Sequence, residues 1–142
     1  MLRRGSIATL LAVMLVACVA PQRSFVRDVV GGTWSKAVEV TFDNEDTVSL
    51  RRLSVVVRYN SRFAAASLPV VMRVTAPDAR YFDDSVMLYF TRPYTAASVS
   101  AAEVIPYREH SRLSLSGRYT FRITPTCAAS GIEAVGVEID NE

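Results

Sequence analysis

Histidine and cysteine are nearly absent from this 142-residue chain, which has one of the first, His110, and two of the second, Cys18 and Cys127. Charge of one sign is lacking as well. Sixteen Lys and Arg stand against 14 Asp and Glu, a formal balance of +2, and nothing in it suggests nucleic acid, which usually demands a concentrated basic face. Glycine and proline number 6 each, hydrophobic residues make up 50% and charged residues 21%. Collagen-like, low-complexity and wholly disordered chains are excluded by those fractions. Long apolar runs are missing too: the longest, Ile7 to Val16, is too short to span the roughly 30 Å of a bilayer core. Beyond it, no amphipathic pattern of about ten residues marks a helix. One domain is expected, and a chain this size buries about two thirds of its unfolded surface without a metal or disulfide staple.

What is present begins with Met1-Leu2-Arg3-Arg4, a short basic start ahead of the apolar run. Together they have the outline of a secretory signal peptide. The run ends in Leu15-Val16-Ala17-Cys18, which resembles a bacterial lipobox and implies acylation of Cys18 after cleavage behind Ala17. Only a thiol can take the diacylglyceryl thioether, and small residues before it fit the peptidase. Loss of residues 1–17 removes Arg3 and Arg4 and leaves a chain that is neutral before His110 is counted. With Cys18 committed to lipid, Cys127 has no partner within the chain and reads as an inert, buried small hydrophobe. Residues 18–32, with Pro21 and Gly31-Gly32, read as a lipid-anchored tether in which Phe25 to Val30 can order.

From residue 33 to 142 the pattern has period two, the mark of half-buried strands. Trp34, Val38, Val40 and Phe42 share one row; Leu53, Val55, Val57 and Tyr59 share the next; Leu68, Val70, Met72 and Val74 follow. Turns are expected at Asp43-Asn44-Glu45-Asp46, Asn60-Ser61-Arg62 and Pro77-Asp78, where Pro fixes φ and Asp bonds its own backbone. Val86, Leu88 and Phe90 form a further face, with Met87 and Tyr89 opposite. Thr91 to Ala102 is the least patterned stretch. Val104-Ile105 and Tyr107 suggest a short edge strand interrupted by Pro106. A hairpin is expected from Leu113 and Leu115 through Ser116-Gly117 to Tyr119, Phe121 and Ile123. Val135, Val137 and Ile139 close the chain. Seven or eight such strands predict an all-β, antiparallel β-sandwich, jelly-roll or Greek-key-like, behind the signal peptide.

Residues with chemistry are few. His110 lies in the polar stretch Arg108-Glu109-His110-Ser111-Arg112 and reads as a solvated loop residue; no Gly-x-Ser-x-Gly elbow accompanies it. No catalytic residue, metal site or cofactor is expected. Asp43 to Asp46 and Asp83-Asp84 offer hard oxygens, but the first lacks the Gly and distal Glu of a calcium loop. Asp46-Thr47-Val48 and Asp84-Ser85-Val86 look like acceptors for periplasmic O-glycosylation, with strand-edge hydroxyls as the simpler reading. Trp34, Tyr59, Phe63, Tyr81, Phe82 and Tyr107 could stack on sugar rings, although core packing is the commoner fate of aromatics in alternating strands. Adjacent Tyr81 and Phe82 cannot both face inward, so one of the two is expected to be exposed.

In order and spacing, the chain resembles the gliding-motility-associated lipoprotein GldH family. The resemblance runs from Trp34 through Val40-Thr41-Phe42, Asp46-Thr47 and Leu53 to Asn60, to Phe63 and Ser67-Leu68. It resumes at Gly117 to Ile123 and Gly131 to Ile139, behind the lipobox. The chain departs from the family pattern in Thr91 to Ala102, which holds neither Gly nor Trp, at Ser67 and at Cys127. The resemblance implies a cell-envelope lipoprotein tied, in gliding bacteria, to a motility machinery coupled to type IX secretion, with no catalytic residues. Its expected partners are the membrane, through acylated Cys18, and other envelope proteins. The absence of an acidic residue in Val19-Ala20-Pro21-Gln22 points to the periplasmic face of the outer membrane. A glycan- or peptide-binding sandwich is the alternative.

Overall fold

A computed structural model describes residues 23–91 and 100–142. Cys18, the residues before it and most of the unpatterned stretch after Thr91 lie outside the described residues. The described chain forms ten strands: β1 (Ser24–Asp28), β2 (Thr33–Trp34), β3 (Val38–Asn44), β4 (Leu50–Tyr59), β5 (Ser67–Thr75), β6 (Tyr81–Tyr89), β7 (Ala101–Arg112), β8 (Gly117–Pro125), β9 (Ala129–Ser130) and β10 (Ile132–Asn141). A single 3₁₀ turn, Val30–Gly32, follows β1.

Two four-stranded antiparallel sheets carry the fold, in the orders β1-β10-β4-β7 and β3-β8-β5-β6, with β2 and β9 forming a two-residue ladder. Setting that ladder aside, the first strand pairs with the last, β3 with β8, β4 with β7, and β5 with β6. That is the rolled hairpin of a jelly roll. Only the β5–β6 connection stays within its sheet; every other one crosses the sandwich. The expected fold class is therefore what the chain adopts.

Alternation explains the core. Val55, Val57, Tyr59, Val135, Val137 and Ile139 point inward from the first sheet, and Leu68, Val70, Met72, Tyr119, Phe121 and Ile123 meet them from the second. Trp34 is buried with its Nε1–H donated to the Lys36 carbonyl, as a buried indole requires. Tyr59, Phe63 and Phe90 pack edge to face, with centroids 4.7–5.5 Å apart.

Three local expectations differ from the structure. Ser24–Asp28, within the segment read as tether, is an edge strand held on β10, and Val29 N–H donates to the Glu133 carbonyl. The strand expected to be short is twelve residues long, because β7 is an edge strand that tolerates Pro106 opposite Ser54, and bulges beyond it let pairing continue as far as Arg112. Leu113 to Gly117 is no hairpin turn: β7 belongs to the first sheet and β8 to the second, so the segment bridges the layers.

The sandwich has two ends. One carries the start of β1, the end of β10 and the connections 45–49, 76–80 and 113–116; the other carries the connections 29–37, 60–66 and 126–131.

Candidate functional site

Irregular backbone and exposed aromatics meet where β6 and β7, the edges of the two sheets, come together. Pairing with β4 steps from Arg108 to Pro106 while β4 advances one residue, which leaves Tyr107 extra; a second irregularity lies between Ser111 and Arg108. Bulges re-aim side chains that would otherwise alternate. Here the consecutive residues Tyr107 and Arg108 both reach Asp84 on β6: the Tyr107 hydroxyl and Arg108 Nη2 each donate to Oδ2 at 3.0 Å. The Arg108 guanidinium foremost, and the Tyr107 hydroxyl after it, hold the Asp84 carboxyl below its usual value. Burial above all pushes the Tyr107 phenol up to about 12. Arg108 also lies over the Phe82 ring, 5.1 Å from its centroid.

Beside this contact opens a cleft of about 510 Å³, with Leu53, Val74, Leu113 and Tyr119 below and Phe82, Arg108, His110 and Arg112 around it. Its size lies in the usual range for small-ligand sites. His110, expected in a solvated loop, is on β7 with φ +52°, a left-handed backbone in the second bulge. Its amide donates to Glu142 Oε1 at 2.9 Å and its ring Nδ1 lies 2.6 Å from Oε2. That amide bond, more than the ring, lowers the Glu142 carboxyl. Both groups anchor the end of β7 to the end of β10.

Strand β6 supplies the largest exposed apolar edge. Phe90 N–H donates to the Ala66 carbonyl and Ala76 N–H to the Arg80 carbonyl, so even-numbered residues bond to β5. Tyr81, Asp83, Ser85, Met87 and Tyr89 therefore turn their backbone groups to the open side. Tyr81 is 59% exposed, Phe82 45%, Met87 43% and Tyr89 65%. Both members of the Tyr81-Phe82 pair are thus exposed, where one was expected. Phe82 points toward the interior row but sits at the strand's start over the cleft, where the core gives way to Arg108. Arg73 grips Asp83 with Nε at 2.7 Å and Nη2 at 2.8 Å and covers the Tyr81 ring at 4.2 Å. This pairing lowers the Asp83 carboxyl.

The remaining candidates are dispersed. Asp43 binds Arg118, and Asp46 caps the following turn by accepting from Val48 N–H, Ser49 N–H and Ser49 Oγ–H; the Ser49 hydroxyl is the main cause of a carboxyl lowered to about 2. Among the described residues no group of three or more His, Cys, Asp or Glu is placed to hold a metal ion. Thr47 is half-buried and Ser85 exposed. Cys127 is exposed rather than buried, because it follows the last residues of β8 into the turn before β9. Trp34, Tyr59 and Phe63 are core residues and leave no sugar platform of the six aromatics together.

Sequence reading misses Asn44, which belongs to the expected turn Asp43-Asn44-Glu45-Asp46 but ends β3 in the structure. It is 1% exposed. Its Nδ2 donates to the Leu113 and Leu115 carbonyls, both at 2.9 Å, and its Oδ1 accepts from Arg51 Nη2 at 3.0 Å. The available signal was its row: Asn44 continues the inward series of Val38, Val40 and Phe42. No protein-family model matches the chain, and no curated protein matches it either.

Proposed function

We propose that the protein is a cell-envelope lipoprotein, anchored through Cys18, that acts by protein contact rather than by chemistry. The observation that carries this reading is the β6 edge: a nine-residue strand on which, among the described residues, five residues turn unpaired backbone groups outward, beside four exposed apolar side chains. Long apolar edges invite pairing with another chain, and proteins that keep one without a use for it risk aggregation. The resemblance to the GldH family supplies the partner class, an envelope assembly such as the gliding and type IX secretion machinery, at the periplasmic face of the outer membrane. A photo-crosslinker at Met87 should capture a discrete envelope protein from intact cells. Ser85→Pro, which spoils the open edge without touching a bond to β5, should abolish the product. An unchanged product would refute the assignment of β6.

A second reading, a glycan- or peptide-binding sandwich, is favoured by the cleft, whose apolar floor and Phe82 suit a small ligand. It predicts chemical-shift changes at Phe82 and Tyr119 on adding cell-wall glycan fragments or short peptides, with the crosslink unaffected.

A further inference from the structure

The end of the sandwich at which β1 begins carries a compact group of exposed apolar residues. Val48 is 73% exposed, Leu50 41% and Leu115 38%. They belong to the connection 45–49, the start of β4 and the connection 113–116, which lie side by side because one buried residue joins them. Asn44 holds the Leu113 and Leu115 carbonyls with one amide nitrogen, and its own carbonyl accepts from Ser116 Oγ at 3.4 Å. Glu142 N–H fixes the Leu50 carbonyl at 3.0 Å. Fixed backbone under exposed apolar side chains is a surface ready to be covered.

The path of the chain says by what. Arg23 is pinned at this same end: its carbonyl accepts from Ile139 N–H at 2.8 Å and its guanidinium reaches Asp140 at 3.3 Å. Four residues lie between it and Cys18, and the five Cα-to-Cα steps span at most about 17 Å fully extended. The sandwich, at ten residues for β10, is about 30 Å long. A lipid on Cys18 therefore holds this end of the sandwich within about 17 Å of the bilayer and places no such hold on the far end, where Cys127 lies, about 30 Å away.

We infer that Val48, Leu50 and Leu115 rest on the lipid surface, which leaves the β6 edge at the side and the far end directed away from the membrane. The inference depends on acylation of Cys18 and adds an orientation to it. Burial of three partly exposed aliphatic side chains supplements the acyl chains with further apolar contact.

The test uses the full chain expressed in bacteria, purified from membranes and reconstituted into phosphatidylethanolamine–phosphatidylglycerol vesicles doped with a headgroup nitroxide lipid. A fluorophore is placed on Leu115→Cys in a Cys127→Ser background, or on the native Cys127, with intact mass spectrometry for the acyl chains. The expected result is acylated protein with at least threefold stronger quenching at position 115 than at 127. Acylated protein quenched equally at both positions, or more at 127, overturns the orientation and leaves the anchor intact. Protein without acyl mass that fails to float with the vesicles overturns both. Should Leu115→Cys fail to fold, Val48→Cys, in an exposed turn, takes the same probe with the same expected ratio.

Discussion

Replacing Asn44 with leucine removes the polar link between the two connections while keeping a side chain of similar size. The structure assigns it two neutral hydrogen bonds, to Leu113 and Leu115, and one from the Arg51 guanidinium. Neutral bonds contribute about 0.5–1.5 kcal/mol each, and one to a charged group about 1.5–3 kcal/mol. The gross loss is then about 2.5–6 kcal/mol, partly offset by the apolar surface that leucine buries, which leaves about 2–4 kcal/mol. Against the 5–15 kcal/mol typical of a domain, that is a large fraction. Most of the cost should come through Arg51, which is buried. Among the described residues its Nε has no hydrogen-bond partner, and its Nη2 would keep only the Asp46 carbonyl at 3.3 Å. Urea denaturation of Asn44→Leu, Arg51→Met and the double variant forms a cycle. The double variant should be less destabilised than the sum of the singles by more than about 1 kcal/mol, since removing both partners leaves no stranded charge. A loss below about 0.5 kcal/mol for Asn44→Leu, or strict additivity, would refute the account.

Three further outcomes are expected. Gly136→Ala would set a methyl 2.0 Å from the Phe25 carbonyl oxygen; the variant should lose about 1–3 kcal/mol and exchange the Val29 amide faster, and unchanged exchange would mean that β1 is not packed as described. Val57→Asp places a carboxylate at a position with 0% exposure and should unfold the domain, a cost of several kcal/mol with no partner for the charge; an unaltered thermal melt would contradict the inward row. Asp46, Asp83, Asp84 and Glu142 all have carboxyl pKa values below their ordinary ones, Asp46 at about 2, so their stabilising effect is complete above about pH 5 and lost as pH falls through the lowered values. Glu138 opposes them: burial and Asp140 raise it, so its protonation relieves strain. The melting temperature should drop between about pH 5 and pH 2, and a flat or rising profile would count against these pairings.

Much of the fold was legible where a strand buries one face only. The row Leu68 to Val74 alternates in sequence as it does in space, whereas β4 is buried continuously from Leu53 to Val57, Ser54 and Val56 included, and only the apolar residues at odd positions mark its inward row. What failed to show was which turns stay within a sheet. Pro77-Asp78 joins two neighbours, while Ser114 to Ser116 crosses the sandwich, and both are short polar segments between apolar rows. Choosing between them depends on contacts far apart in sequence. Strand β7 was hidden for a different reason: each extra residue at Tyr107 and near His110 inverts the pattern, so a twelve-residue strand reads as fragments. The same bulges gather Tyr107 and Arg108 on Asp84, and for that reason the corner site was invisible to spacing rules. Asn44 was legible only by position. A turn of Asp, Asn, Glu and Asp looks uniformly wet, and nothing in its composition singles out the one residue that the fold buries.

The claim on which the cellular reading rests is that Cys18 carries lipid. Among the described residues no helix is long and apolar enough to cross a membrane, and the processed chain would be neutral before His110, with little to gain from anionic headgroups. Metabolic labelling with a fatty acid, followed by membrane fractionation of the wild type and Cys18→Ser, measures this directly. The account predicts labelled wild type in the membrane fraction, and a Cys18→Ser protein that takes no label and is either released or left as the uncleaved precursor. Wild-type protein found unlabelled and free in the periplasm would contradict it.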